Sequence, residues 1–134
     1  SIREAIDDLK VERIGHGVQC IKDPALIDEI KARQITLEVC PGSNVALGVD
    51  VSPTWSDHPI KALFDASVSV TVSTDDPPFF HTDLTREYDI LAGTFGWGAA
   101  EFCVINENAI DAAFCDHETK SNLREKVRKS WINI

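Results

Sequence analysis

The sequence predicts an α/β fold in which parallel strands alternate with helices, and three observations carry that prediction. Short stretches rich in β-branched residues at 11–18, 36–41 and 68–76 look like strands. The segments between them space their apolar residues as helices do, and such alternation builds βαβ units with a parallel sheet. Each strand candidate also stops at a turn-forming group: Gly15-His16-Gly17, Cys40-Pro41-Gly42-Ser43 and Asp75-Asp76-Pro77-Pro78. Right-handed crossovers bring the three strand C-termini to one side, so these polar ends converge on one rim.

The elements follow in order. Ser1 is a good helix N-cap, with Ile2, Ala5, Ile6 and Leu9 at helical spacing behind it. Residues 11–18 form a short strand ending at Gly15-His16-Gly17, where the flanking glycines let other groups approach the imidazole. Asp23-Pro24 is an N-cap followed by proline at the first helical position, and Leu26, Ile27 and Ile30 continue that helix. In the second strand Leu37 and Val39 share one face while Glu38 and Cys40 share the other. Residues 42–56 read as a long loop, a common form for a functional lid. Asp57-His58-Pro59 opens a third helix with Ile60, Leu63 and Phe64 on its apolar face.

The third strand places Val68, Val70 and Val72 on one face and Ser69, Thr71 and Ser73 on the other, and Pro77 and Pro78 forbid its continuation. By this alternation Asp75 extends the Ser/Thr face and Asp76 points elsewhere. If the small-residue face lines a barrel, Asp75 looks along the axis from the C-terminal end, where parallel barrels keep their catalytic groups. Alone, Asp-Asp-Pro-Pro reads more readily as a turn. Thr82 or Asp83 then caps a helix carrying Leu84, Tyr88 and Leu91, which residues 93–98 break. A helix with Phe102, Ile105, Ala109 and Ala113 follows, and Asp116 caps a last one with Leu123, Val127 and Trp131.

Composition narrows the function. A chain of 134 residues with 43% hydrophobic and 26% charged residues is ordinary for one globular domain. No run approaches the ~20 apolar residues of a membrane span. A net charge of −9 and the absence of a basic stripe argue against nucleic acid; the locally basic stretch 120–129, interrupted by Glu125, reads as a solvated helix face. The four cysteines form no C-x-x-C pair, which argues against a thiolate zinc site and for a reducing, cytoplasmic compartment. Ser1-Ile2-Arg3-Glu4 lacks the order of a secretory signal. Gly15-His16-Gly17 is no dinucleotide fingerprint.

Taken together, Arg13-Ile14-Gly15-His16-Gly17, Leu37-Glu38-Val39-Cys40-Pro41-Gly42-Ser43-Asn44 and Ser73-Thr74-Asp75-Asp76-Pro77 resemble the adenosine deaminase family of metal-dependent amidohydrolases. The resemblance implies a TIM barrel, of which residues 1–134 would supply the C-terminal portion: about three of eight strands and their helices. The family's early H-x-H and later H-A-G-E, which bring histidine ligands and a catalytic glutamate, occur nowhere in this sequence. The expectation is therefore a fragment of one deaminase domain with its N-terminal strands absent.

The resemblance also assigns roles. Asp75 matches the carboxylate ligand of a zinc site otherwise made of histidines. A zinc ion there would lower the pKa of bound water so that hydroxide exists near neutrality. His16 matches the histidine that orients this water and helps take its proton. Asp76 matches the catalytic, substrate-binding residue that hydrogen-bonds purine N7. Ser43 and Glu38 would support the site from behind it, Glu38 doing so inside the barrel or simply pairing with Arg13. Without the family, His16 reads more readily as a satisfied structural histidine than as a catalyst. His58 reads as a capping-turn residue, His81 as a neighbour of the site, His117 as surface, and Trp55, Trp97 and Trp131 as packing residues.

The implied reaction is hydrolysis of adenosine or 2′-deoxyadenosine to the inosine product and ammonia by the complete barrel. The Asp76-Pro77-Pro78-Phe79-Phe80 and Ser43-Asn44-Val45 segments look closer to bacterial adenosine deaminases than to adenine deaminases. Adenine is the alternative substrate. A second alternative is a non-catalytic half-barrel, since three strands leave open edges that self-association or the missing N-terminal part would cover. The isolated chain, short of the histidine ligands, is expected to hold zinc weakly and to turn over nothing.

Overall fold

The computed structural model describes residues 1–132. Strands β1 (Arg13–Gly15), β2 (Thr36–Val39) and β3 (Val70–Val72) form one parallel sheet in that order. Around it run α1 (Ile2–Asp7), a 3₁₀ turn (Val18–Lys22), α2 (Pro24–Ala32), α3 (Pro41–Ala46), α4 (Ile60–Asp65), α5 (Pro77–Phe80), α6 (Leu84–Phe95), α7 (Ala99–Ala112) and α8 (His117–Ile132). The register pairs Ile14 with Leu37 and Leu37 with Val70, which sets two faces.

One face is apolar. Ile14, Leu37, Val39, Val70 and Val72 join Leu26 and Ile30 of α2, Ile60 and Leu63 of α4, Leu91 of α6, and Phe102 and Ile105 of α7 in a single core. Trp97 completes it against the rings of Phe64, Phe95 and Phe102, and Trp131 stacks on Phe102, so both tryptophans are packing residues as expected. The other face is polar. Thr36 and Ser69 share a 2.8 Å hydroxyl contact, and Arg13 pairs with Glu38 at 3.2 Å while its guanidinium lies 3.8 Å over the Phe114 ring. The outer edge of β3 is not bare: the Asn108 amide on α7 donates to the Val70 carbonyl at 3.0 Å. Among the described residues no helix is long and apolar enough to cross a membrane.

Several elements differ from the sequence expectation. The strands are shorter than the β-branched stretches, and after two of them the backbone turns left-handed. His16 adopts φ 57° immediately after β1, and Asp75 adopts φ 62° after β3. The stretch expected as a loop from Gly42 begins inside α3, whose Pro41 is preset for a first helical turn and has no N–H to lose. Helix α6 runs through Gly93 and stops at Gly96, whose φ of 69° makes it the left-handed cap. The strand stops at Val72, before Pro77 and Pro78 are reached, and the two prolines instead start α5, capped by Asp76. The caps expected at Ser1, Asp23, Asp83 and Asp116 all form.

Candidate functional site

The C-terminal ends of all three strands meet on one rim. His16 follows β1, and its backbone N–H still donates to the Glu38 carbonyl at 2.8 Å, as though the ladder continued. Its positive φ then turns the side chain out of the strand's alternation. Asp75 reaches the same place in the same way: it is three residues past β3 and left-handed. A non-glycine residue in that region costs about 1–3 kcal/mol and persists only where its surroundings hold it. Two such residues stand at this rim with their side chains facing one another.

Ser43, fully buried in α3, donates its hydroxyl to Asp75 Oδ2 at 2.7 Å. His16 Nε2 lies 3.6 Å from the same oxygen. His16, Cys40 and Asp75 each bring one potential ligand atom within 4.8 Å of the others. These donors are not equivalent. Burial first, and the Asp75 and Glu87 charges next, push the Cys40 thiol up to about 11, so it keeps its proton at neutral pH. Asp75 is thus the ready anionic donor of the three.

Behind His16 runs a buried polar chain. Its Nδ1 is 3.1 Å from the Asn44 amide nitrogen, the Asn44 oxygen is 3.2 Å from His58 Nε2, and the Ile60 N–H donates to His58 Nδ1 at 3.1 Å. Asn44 and His58 are each only 2% exposed. Burial drives the His58 pKa down to about 4, so its ring is neutral through the physiological range. The turn on which Ser43 and Asn44 ride is held by Glu87 of α6. Its buried carboxylate accepts from the Gly42 N–H at 2.9 Å and from the Thr82 hydroxyl at 2.7 Å. A Cβ on Gly42 would stand 2.3 Å from that carboxylate, so glycine is what admits it.

The structure thus brings together His16, Ser43 and Asp75 and leaves Asp76 beside them. Asp76 is exposed and uses Oδ1 to cap α5 through the Phe79 N–H at 3.3 Å; no hydrogen bond ties it to the other three among the described residues. The Glu38 carboxylate turns to Arg13, and it is the Glu38 carbonyl that serves the rim, accepting from His16 N and, at 3.7 Å, from the Cys40 thiol. His58 does cap α4, as its position before Pro59 suggests, but it also belongs to the site. His81 is the left-handed cap of α5 and His117 is exposed at the start of α8. Cys40, Asn44 and Glu87 carry no role in the sequence reading. Asn44 and Cys40 lie inside the motif that holds Ser43; Glu87 is one acidic residue on a helix and has no such signal.

The chain is similar to known proteins over nearly all its length. The model of the adenosine deaminase family matches residues 1–130. An adenine deaminase of Rhizobium johnstonii is 49% identical over 127 residues, 95% of this chain and 39% of its own length. The crystal structure of an adenine deaminase from Arthrobacter aurescens superposes with a TM-score of 0.91 at 32% identity, covering 99% of this chain and 40% of that one. A zinc-bound amidohydrolase from Burkholderia ambifaria shares the fold, with a TM-score of 0.85 at 24% identity over 97% of this chain and 36% of that one. The chain therefore spans about two fifths of the length of the relatives it matches, its parallel strands and helices correspond to part of a TIM-barrel deaminase, and it belongs to the adenosine deaminase family.

Proposed function

We propose that residues 1–134 supply the C-terminal part of the active site of a metal-dependent purine deaminase whose substrate is adenine. The observation that carries this reading is the meeting of His16, Ser43 and Asp75 at three parallel strand ends, with Asp76 adjacent. Adenine is preferred to adenosine because the similar proteins quoted above are named adenine deaminases; the family's own name keeps adenosine as the second candidate. The net reaction is adenine plus water to hypoxanthine plus ammonia: a C6–O bond forms and the C6–N bond breaks.

The donors present fit a divalent ion in type, since carboxylate oxygen is a normal zinc ligand. Asp75 would hold it, and when bound it supplies a water that deprotonates near neutrality. The remaining work belongs to this chain's side chains. Ser43 donates to Asp75 and fixes the carboxylate's rotation. His16 presents Nε2 on the same side, where it orients the water. Asp76 faces the purine at N7 and so sets C6 against the attacking oxygen; its capping bond to α5 holds the carboxylate in place meanwhile. Protonation at N1 falls to a glutamate outside these residues. The complete barrel would cover the outer edge of β1, bring the histidine ligands and work in the cytoplasm. The chain by itself would be a half-barrel without turnover.

The test is turnover by the barrel completed with strands carrying H-x-H and H-A-G-E. Adenine should exceed adenosine in kcat/KM by at least about tenfold, some 1.4 kcal/mol in transition-state binding. A preference for adenosine of that size would overturn the substrate, and no ammonia from either purine would overturn the reaction.

A further inference from the structure

The polar chain behind His16 begins at a donor whose polarity is not open to choice, the backbone N–H of Ile60. His58 Nδ1 must accept from it at 3.1 Å, so the neutral His58 ring carries its proton on Nε2. That Nε2–H donates to the Asn44 oxygen at 3.2 Å, which settles which end of the amide faces which ring. The Asn44 NH₂ then donates to His16 Nδ1 at 3.1 Å, and a neutral imidazole that accepts at Nδ1 holds its proton on Nε2. We propose that His58 and Asn44 are positioning residues that fix neutral His16 as its Nε2–H tautomer, with that hydrogen facing Asp75. Both residues are 2% exposed, so water is not at hand to replace either partner. Reversing the chain would set two N–H donors against one another and leave buried groups unpaired.

This separates His16 from the metal ligands. A ligating histidine coordinates through a bare nitrogen and donates its other N–H to an oxygen acceptor. His16 has the reverse arrangement, because its second nitrogen meets an N–H donor. Its Nε2–H faces Asp75 Oδ2 at 3.6 Å, too far for a direct hydrogen bond, and is free to donate to an oxygen bound between the two. The catalytic use of this donor rests on the deaminase reading above; the ring state does not.

Two-bond ¹H–¹⁵N correlation spectra of the histidine-labelled chain at mildly alkaline pH read the tautomers directly, with His16→Gln assigning the signals. His16 and His58 should both show the Nε2–H pattern, and stoichiometric zinc should leave the His16 pattern in place. Asn44→Asp puts an acceptor against Nδ1 and should switch His16 to the Nδ1–H pattern. His58→Phe frees the amide and should leave His16 a mixture. An Nδ1–H pattern in the unmodified chain, zinc on His16 Nε2, or an unchanged pattern in a folded Asn44→Asp chain would overturn the proposal. If the variants fail to fold, the unmodified spectrum alone decides. No turnover is measured, so this result and the deaminase test can fail independently.

Discussion

The helix-facing side of the sheet and the rim at its strand ends use the same three strands in opposite ways. The helix-facing side is made of Leu37, Val39 and Val70, each with no exposure, and its attraction is non-directional. Any well-packed apolar set of the right volume would serve there. The rim is directional. It relies on two left-handed non-glycine residues, a buried serine on an aspartate, and an amide wedged between two imidazoles. One side contributes stability; the other draws on it to hold strained and polar groups in register.

Substitution on the core side should have the largest effect. Leu37→Ala should cost about 3–4 kcal/mol in urea unfolding, from lost burial plus a cavity, because Leu37 is fully enclosed. A loss under 1 kcal/mol would mean that the core is looser than its burial implies.

From the rim side, the largest effect is one of pH. The folded His58 pKa is depressed from 6.5 to about 4, so its neutral form favours folding. That contribution is complete above pH 6.5 and is lost as the pH falls toward 4. It amounts to about 3 kcal/mol at its full extent. His58→Gln should flatten the acid limb of the stability curve by that amount; an unchanged limb would place the acid sensitivity elsewhere. Next, Glu87→Leu leaves the Gly42 N–H and Thr82 hydroxyl without their acceptor and should cost about 2 kcal/mol, visible as a lowered urea midpoint. Smallest is Ser43→Ala, about 1 kcal/mol for one hydroxyl bond. In the completed barrel its larger consequence should be a weaker hold on metal, read by competition with a chelator.

Much of this contrast was legible in the sequence. The apolar alternation in Val68, Val70 and Val72 gave the core face, and the turn residues after each strand gave the rim. The family motifs named His16, Asp75, Asp76 and Ser43 before any geometry was known. Strand length was not legible, since His16 and Asp75 leave the ladder through backbone angles that period-2 patterning cannot report. The helix at Pro41 is not apparent because Pro-Gly-Ser-Asn reads locally as a turn, and Glu87, which accepts from the Gly42 N–H of that first turn, lies 45 residues away. The His58–Asn44–His16 chain spans 14 and then 28 residues. No local signal connects a histidine before proline to one between glycines. What the sequence hides is thus of two kinds: local left-handed backbone turns, and long-range polar contacts that no periodicity records.

The most direct test of the account compares two neighbouring carboxylates in the completed barrel. Asp75→Asn preserves a residue that tolerates the left-handed backbone and should lose bound metal and adenine turnover together. Asp76→Ala should retain the metal and lose most turnover. If Asp76→Ala lost the metal while Asp75→Asn kept it, the two assignments would be reversed and the site built here on Ser43, His16 and Asp75 would be wrong.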